Sequence, residues 1–179
     1  MNLTPPATKV RGLLTALQRL FAILSIIVLG ACSHSPKADS VKGDWQVMLA
    51  AEGKPAQLCY AGAEPTSSKG TITKRDSQPY LMITRRTSGK IEVSMSSGYA
   101  YMQNSKTDLA IDGKTYRLFF RGNVAWAKGD MEDKVIIEAL KKATDIQVRG
   151  VSQEGATSVD YYSSNGFAGA LARVRKLCP

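Results

Sequence analysis

After residue 43 most of the chain alternates apolar and polar positions in short runs, the period of strands with one buried face. Trp45 to Leu49 and Gln57 to Ala61 carry such runs on either side of a turn at Glu52-Gly53-Lys54-Pro55, which predicts an early hairpin. Tyr80 to Thr84 and Ile91 to Met95 form a second pair joined through Ser88-Gly89. Asp108 to Ile111 and Tyr116 to Phe120 flank Asp112-Gly113, a dipeptide suited to the positive φ angles of a type I′ turn. A short strand is expected over Asn123 to Ala127, and Ile146 to Val151 and Ser158 to Tyr162 are expected to be strands around a turn at Gly155. Glu64 to Ser77, rich in Thr, Ser and Lys with Pro65 and Gly70, reads as an exposed loop.

Two segments change period. Beyond Asp130, placed to cap, Ile136, Ile137 and Leu140 share one helical face, with Glu132 and Asp133 in the first turn and Lys141 and Lys142 at the end. This predicts a helix over Met131 to Ala143, its charges matched to the dipole. Phe167, Leu171 and Val174 predict a last short helix over Phe167 to Arg175, behind Asn165-Gly166. Strands dominate and no βαβ alternation occurs. The expected class is therefore mainly β: an antiparallel β-sandwich or flattened barrel with two short peripheral helices.

The N-terminal stretch is built differently. Residues 1–31 hold a cationic zone with Lys9, Arg11 and Arg19, an apolar run from Leu20 to Leu29, and the small residues Gly30 and Ala31. An apolar run of about ten residues is too short for a bilayer core that needs about 20, so a cleaved signal peptide is expected. Leu29-Gly30-Ala31-Cys32 resembles the bacterial lipobox, which implies cleavage before Cys32 and acylation of its thiol and amine. The expected organisation is a signal peptide over 1–31, lipidated Cys32 with a polar tether over 32–42, and one β domain over 43–179. Ser33 is not the aspartate that marks inner-membrane retention, which points to the outer membrane, either periplasm-facing or at the cell surface.

Lipid on Cys32 leaves Cys59 and Cys178, an even count in an oxidising compartment, and predicts a disulfide between them. A free buried thiol or an intermolecular bridge are the alternatives. Closing a loop of about 120 residues is worth about 4 to 5 kcal/mol in the chain-entropy account.

Charge adds a bias but no motif. The whole chain carries +9, and loss of Lys9, Arg11 and Arg19 with the leader leaves +6. Such a domain suits anionic partners, or the charge serves solubility alone, because the basic residues are scattered. No nucleic-acid partner is expected. Lys74-Arg75 and Arg85-Arg86, with Tyr99 and Tyr101, form a possible binding surface, although adjacent strand residues point to opposite faces and alternating tyrosines often pack inside. Tyr161-Tyr162 is a further aromatic pair of the same kind.

No catalytic residue, metal site or cofactor is predicted. The single histidine, His34, lies in the tether, so nucleophilic catalysis in the domain would need Lys or a carboxylate as base. Ser68-Lys69 and Ser105-Lys106 are the adjacent pairs of that type, and a lysine-rich chain produces such neighbours by chance. Capping accounts for the acids Asp130, Glu132 and Asp133. Structural zinc commonly takes four Cys or His ligands, which the domain does not supply.

Several pieces together resemble the invasion-associated locus B family of Gram-negative envelope proteins. Gly43-Asp44-Trp45-Gln46-Val47 is similar to the family's opening strand. Val135 to Ala143, Ile146 to Gly150, and Asn165-Gly166-Phe167-Ala168-Gly169-Ala170-Leu171 resemble its C-terminal half. The likeness covers about Lys42 to Cys178 and carries no catalytic motif. Family members commonly have a cysteine in the first strand, where this chain has Met48-Leu49, and many have a plain secretory signal.

The resemblance implies a non-enzymatic envelope or secreted β domain. With the lipobox, the expectation is an outer-membrane lipoprotein with a binding or structural role in the envelope or in host interaction. Its expected partners are the membrane, through the lipid, and an envelope protein or host surface component. The alternative is a periplasmic inhibitor or envelope-assembly factor binding a protein or anionic partner; a hydrolase would require a Ser close to a buried Lys.

Overall fold

The structure, a computed structural model, describes residues 38–40, 43–49 and 58–179. The expected signal segment, the expected lipidation site Cys32, His34 and the expected turn at 52–55 lie outside the described residues. The strands are β1 (Ala38–Ser40), β2 (Gln46–Leu49), β3 (Leu58–Ala63), β4 (Ser67–Gly70), β5 (Tyr80–Arg86), β6 (Ile91–Ser96), β7 (Asp108–Ile111), β8 (Lys114–Arg117), β9 (Phe119–Arg121), β10 (Val124–Trp126), β11 (Ile146–Val151) and β12 (Thr157–Tyr162). The helices are α1 (Asp130–Leu140) and α2 (Phe167–Leu177).

Among the described residues the strands form two open antiparallel sheets, a large one in the order β1-β2-β3-β5-β6-β10-β9 and a small one in the order β4-β12-β11-β7-β8. The expected β-sandwich is therefore the observed class, with no closed barrel. Alternation decides which face is buried. Val47, Ala61, Ile83 and Val93 align across the large sheet, and all four are fully buried. The next row, Met48, Tyr60, Thr84 and Glu92, points to the other face.

Both helices lay apolar faces on this sheet rather than standing at its rim. α2 packs on β2, β3 and β5 through buried Phe167, Ala170, Leu171 and Val174. α1 packs on β6 through Ile136, Ile137 and Leu140. Where the ladder to β10 stops, Asp133 of α1 takes over: its Oδ1 accepts the Val93 N–H at 2.8 Å. Cys59 and Cys178 are joined in a disulfide with Cα atoms 6.0 Å apart, and both are fully buried.

The first and the last of the segments that carry the family resemblance meet in space. Gly43 has φ +131°, and a Cβ there would lie 2.6 Å from the Gly166 Cα. Only glycine allows this approach, in which the Asp44 N–H donates to the Asn165 carbonyl at 3.0 Å. Trp45 then packs edge-on to Phe167, with ring centroids 4.7 Å apart, and its indole N–H donates to the Ser163 carbonyl at 2.9 Å. These motifs are an interlock between the beginning and the end of the domain.

Three expectations are corrected. The loop expected over Glu64 to Ser77 contains β4, which pairs with β12 from Ser67↔Tyr161 to Gly70↔Ser158. It is an edge strand with every residue exposed, so no apolar alternation marks it. The strand expected over Tyr116 to Phe120 breaks at Leu118: β8 belongs to the small sheet and β9 to the large one. The cap of α1 is Gly129, not Asp130, and its side-chain substitute is Glu132, which accepts the Lys128 N–H at 2.6 Å. The β7–β8 turn is as expected, with positive φ at Asp112 and Gly113.

Candidate interaction surfaces

Several residues singled out for binding lie in a polar cluster between the sheets. Arg75, from the segment after β4, places its guanidinium across the Asp160 carboxylate, with contacts of 2.6 and 3.0 Å. Asp160 is fully buried. Ser68 donates to its Oδ1 at 2.7 Å, and Ser158 to its Oδ2 at 3.3 Å. Arg75 also donates to the Ser97 carbonyl. Tyr99 and Ser158 share a hydrogen bond of 2.8 Å, and the Tyr101 hydroxyl donates to Ser97 Oγ at 3.1 Å. The two rings sit over Gly150, where a Cβ would come within 2.7 Å of Tyr101. Burial raises both phenols, Tyr101 to about 12, so they act as hydroxyl donors and not as acids or bases.

The predicted surface of Lys74, Arg75, Arg85, Arg86, Tyr99 and Tyr101 is thus not one surface. Tyr99 and Tyr101 are interior residues: their alternation packs them against Gly150, Phe120 and each other. Arg75 is spent on Asp160 and stacks over Tyr99, leaving Lys74 exposed beside it. Arg85 and Arg86 lie at the other end of the large sheet. Arg85 donates to the Cys178 carbonyl and, at 2.8 Å, to the Gly89 carbonyl, while Arg86 is exposed. Tyr162 is buried and Tyr161 is half-exposed under the Lys69 ammonium. The Ser–Lys pairs do not assemble either, since Ser68 serves Asp160 and both Lys69 and Lys106 are exposed.

Two open depressions flank the large sheet. The first, of about 480 Å³, lies between the β5–β6 turn and the helices and is lined by Arg85, Lys90, Ile91, Asp133, Lys134 and Arg175, among others. Burial pushes the Asp133 carboxyl above the usual aspartate range. The second, of about 580 Å³, lies at the opposite end of the sheet, against Gln46, Met48, Gly62, Tyr80 and Met82. Asp44 and Glu64 line it, and no Lys or Arg does. On β9, the edge strand, and its neighbour β10, Phe119, 52% exposed, stacks on Trp126 at 5.5 Å. Sequence reasoning missed this pair, although Phe119 and Trp126 are visible as aromatics in neighbouring strands. No described group of three or more His, Cys, Asp or Glu residues forms a metal cluster.

The family profile described as Invasion associated locus B (IalB) protein matches residues 45–175. The chain belongs to the IalB family. That span starts at Trp45 and ends one helical turn before Cys178, so it includes the Trp45–Phe167 contact of the interlock but not Gly43 or Asp44. The crystal structure of invasion associated protein B from Bartonella henselae is similar in fold. It has a TM-score of 0.55 at 13% identity, and the alignment covers 79% of this chain and 97% of that one. No curated relative matches the sequence.

Proposed function

We propose that this IalB-family protein is a non-enzymatic lipoprotein of the outer membrane, acylated on Cys32, with a binding or structural role in the envelope or at the host interface. The observation that carries the reading is the lipobox Leu29-Gly30-Ala31-Cys32 ahead of a domain of this family. Inside the domain, the cluster richest in reactive residue types is consumed in packing. Asp160 has Arg75, Ser68 and Ser158 on its two oxygens, an arrangement that fixes a carboxylate and offers no base for a nucleophile.

Two acyl chains hold a protein on a bilayer where one does not, each buried methylene contributing about 0.8 kcal/mol. Intact mass of the protein purified from membranes tests the reading. The expected mass is that of residues 32–179 plus the acyl groups, less two hydrogens for the Cys59–Cys178 bridge. A protein that retains residues 1–31 without acyl mass overturns it. The exposed Phe119–Trp126 stack favours a protein partner, in the envelope or outside, as the second component of the role. Protease accessibility on intact cells separates those two places: complete protection removes direct adhesion.

A further inference from the structure

The chain from Cys32 joins the domain at a defined end of the large sheet. β1 begins at Ala38, opposite Met48, and runs toward Ser40, opposite Gln46. Ala38, the first residue of β1, therefore stands next to the row Leu49, Cys59, Arg85 and Ile91, at the end of the sheet that carries the β5–β6 turn and Cys178. Only residues 33–37 separate Cys32 from Ala38. An extended chain covers about 3.3 to 3.6 Å per residue, so the acylated residue is at most about 20 Å from the strand. A tether of that reach lets this end of the sheet rest directly on the leaflet that holds the acyl chains, and charges in direct contact escape the screening that removes interactions beyond about 10 Å at 0.1 M salt.

This end is cationic where it is exposed. Arg86, Lys90, Lys134, Arg175 and Lys176 are all exposed here, around the β5–β6 turn, α1 and the last turn of α2. Of these, Lys90 pairs with Asp130 at 3.0 Å, and the others make no ion pair among the described residues. The acids nearby are muted: Asp133 is buried and bonded to the Val93 N–H, and Glu138 is engaged by Lys141. Glu92 is half-buried on the other face of β6. Met131 and Val135, four residues apart on α1, are 78% and 45% exposed next to Lys134. Basic residues beside exposed apolar ones are the composition of a surface that rests in a headgroup layer. The groove at the opposite end has the reverse character: Asp44 and Glu64 line it, and no Lys or Arg does.

We infer that the end of the domain bearing Arg86, Lys134, Arg175 and Lys176 docks on the anionic phospholipid headgroups of the leaflet that anchors Cys32. The inference rests on the lipoprotein reading, because the short tether is what brings this end to the membrane. Docked in this way, the domain turns its acidic groove and the segment from Glu64 to Asp76 away from the lipid.

The test uses the full protein purified from membranes, weighed first, then reconstituted into vesicles of phosphatidylcholine alone or with phosphatidylglycerol. Amide hydrogen exchange at 86–90 and over the last turn of α2 is expected to slow about fivefold or more only in the anionic vesicles, with no change over 64–76. The protection is expected to vanish in the exposed-site variant R86E/R175E/K176E and, for the unaltered protein, in about 0.5 M salt. Equal protection in neutral vesicles, protection at 64–76 instead, or an unaffected triple variant overturns the docking surface while acyl mass on Cys32 leaves the anchor intact. If the mass shows no acyl group, the anchor fails. The unacylated protein is then sedimented with the same vesicles: salt-sensitive binding lost in the triple variant retains the surface, and no binding overturns it too.

Discussion

At the end of the large sheet where the helices lie, the domain is closed by apolar side chains and a covalent bridge; at the other end it is closed by an ion pair and a set of hydroxyls. The first end uses Ile136, Leu140, Leu171, Val174 and the Cys59–Cys178 disulfide. The second uses Arg75, Asp160, Ser158, Tyr99 and Tyr101. Apolar packing tolerates small changes of shape, whereas a buried charge tolerates no loss of its partner. The two ends should therefore fail differently.

The largest effect is expected at the polar end. Arg75→Ala leaves the Asp160 carboxylate buried without its cation and should cost about 3 to 5 kcal/mol in urea unfolding. The double variant Arg75→Leu/Asp160→Leu removes both charges and should recover much of that loss, since apolar replacements of a buried pair are often neutral. A double variant as damaged as the single one would show that the hydroxyl network, not the charge pair, carries that end. At the helix end, replacing Cys59 and Cys178 together with serine should cost about 2 to 5 kcal/mol. A midpoint unchanged by that replacement would mean that helix packing alone closes the sheet.

A smaller effect distinguishes the ends by pH. Asp133 has its carboxyl raised mainly by burial, with Glu92 and Asp130 adding to the effect and the Val93 N–H and Lys90 opposing it. A carboxyl raised in the folded state binds its proton more tightly there, so the fold loses stability as pH rises above the usual aspartate range. Asp133→Asn keeps an acceptor for Val93 and should be the more stable protein at pH 7, with the difference closing by about pH 3. Thermal melts across that range check it. The smallest effect is expected for Arg86→Ala or Lys74→Ala, within about 0.5 kcal/mol of the parent, because both side chains are exposed.

The elements with one apolar face were legible in the sequence. β2, β3, β5, β6, β11 and β12 have Val, Ile, Leu, Met or aromatic residues at alternate positions, the Asp112-Gly113 turn followed from a local rule, and the disulfide followed from the cysteine count. β4 was not legible, because Ser-Ser-Lys-Gly at an exposed edge buries nothing. The break at Leu118 was not legible either, since Tyr116 to Phe120 keeps strand composition while the backbone passes from one sheet to the other. For the candidate site, Lys74, Arg75, Tyr99 and Tyr101 were visible as residue types but not as a buried group. The reason is Asp160: a carboxylate inside β12 reads as a solvent-facing residue until its partner, 85 residues earlier, is known. The interlock of Gly43 with Gly166 was legible only as two separate motifs.

That interlock has a kinetic consequence. Trp45 donates to Ser163 across 118 positions, and β4 waits for β12 to complete the small sheet. Contacts of such span make the entropy of loop closure fall due before the native state rewards it, which places a β-rich chain toward the slower, millisecond-to-second range of folding. Until the segment beyond residue 157 arrives, β4 has no partner and the facing edge of β11 stands open. During that interval the molecule is most exposed to aggregation and to proteolysis, and most in need of a chaperone.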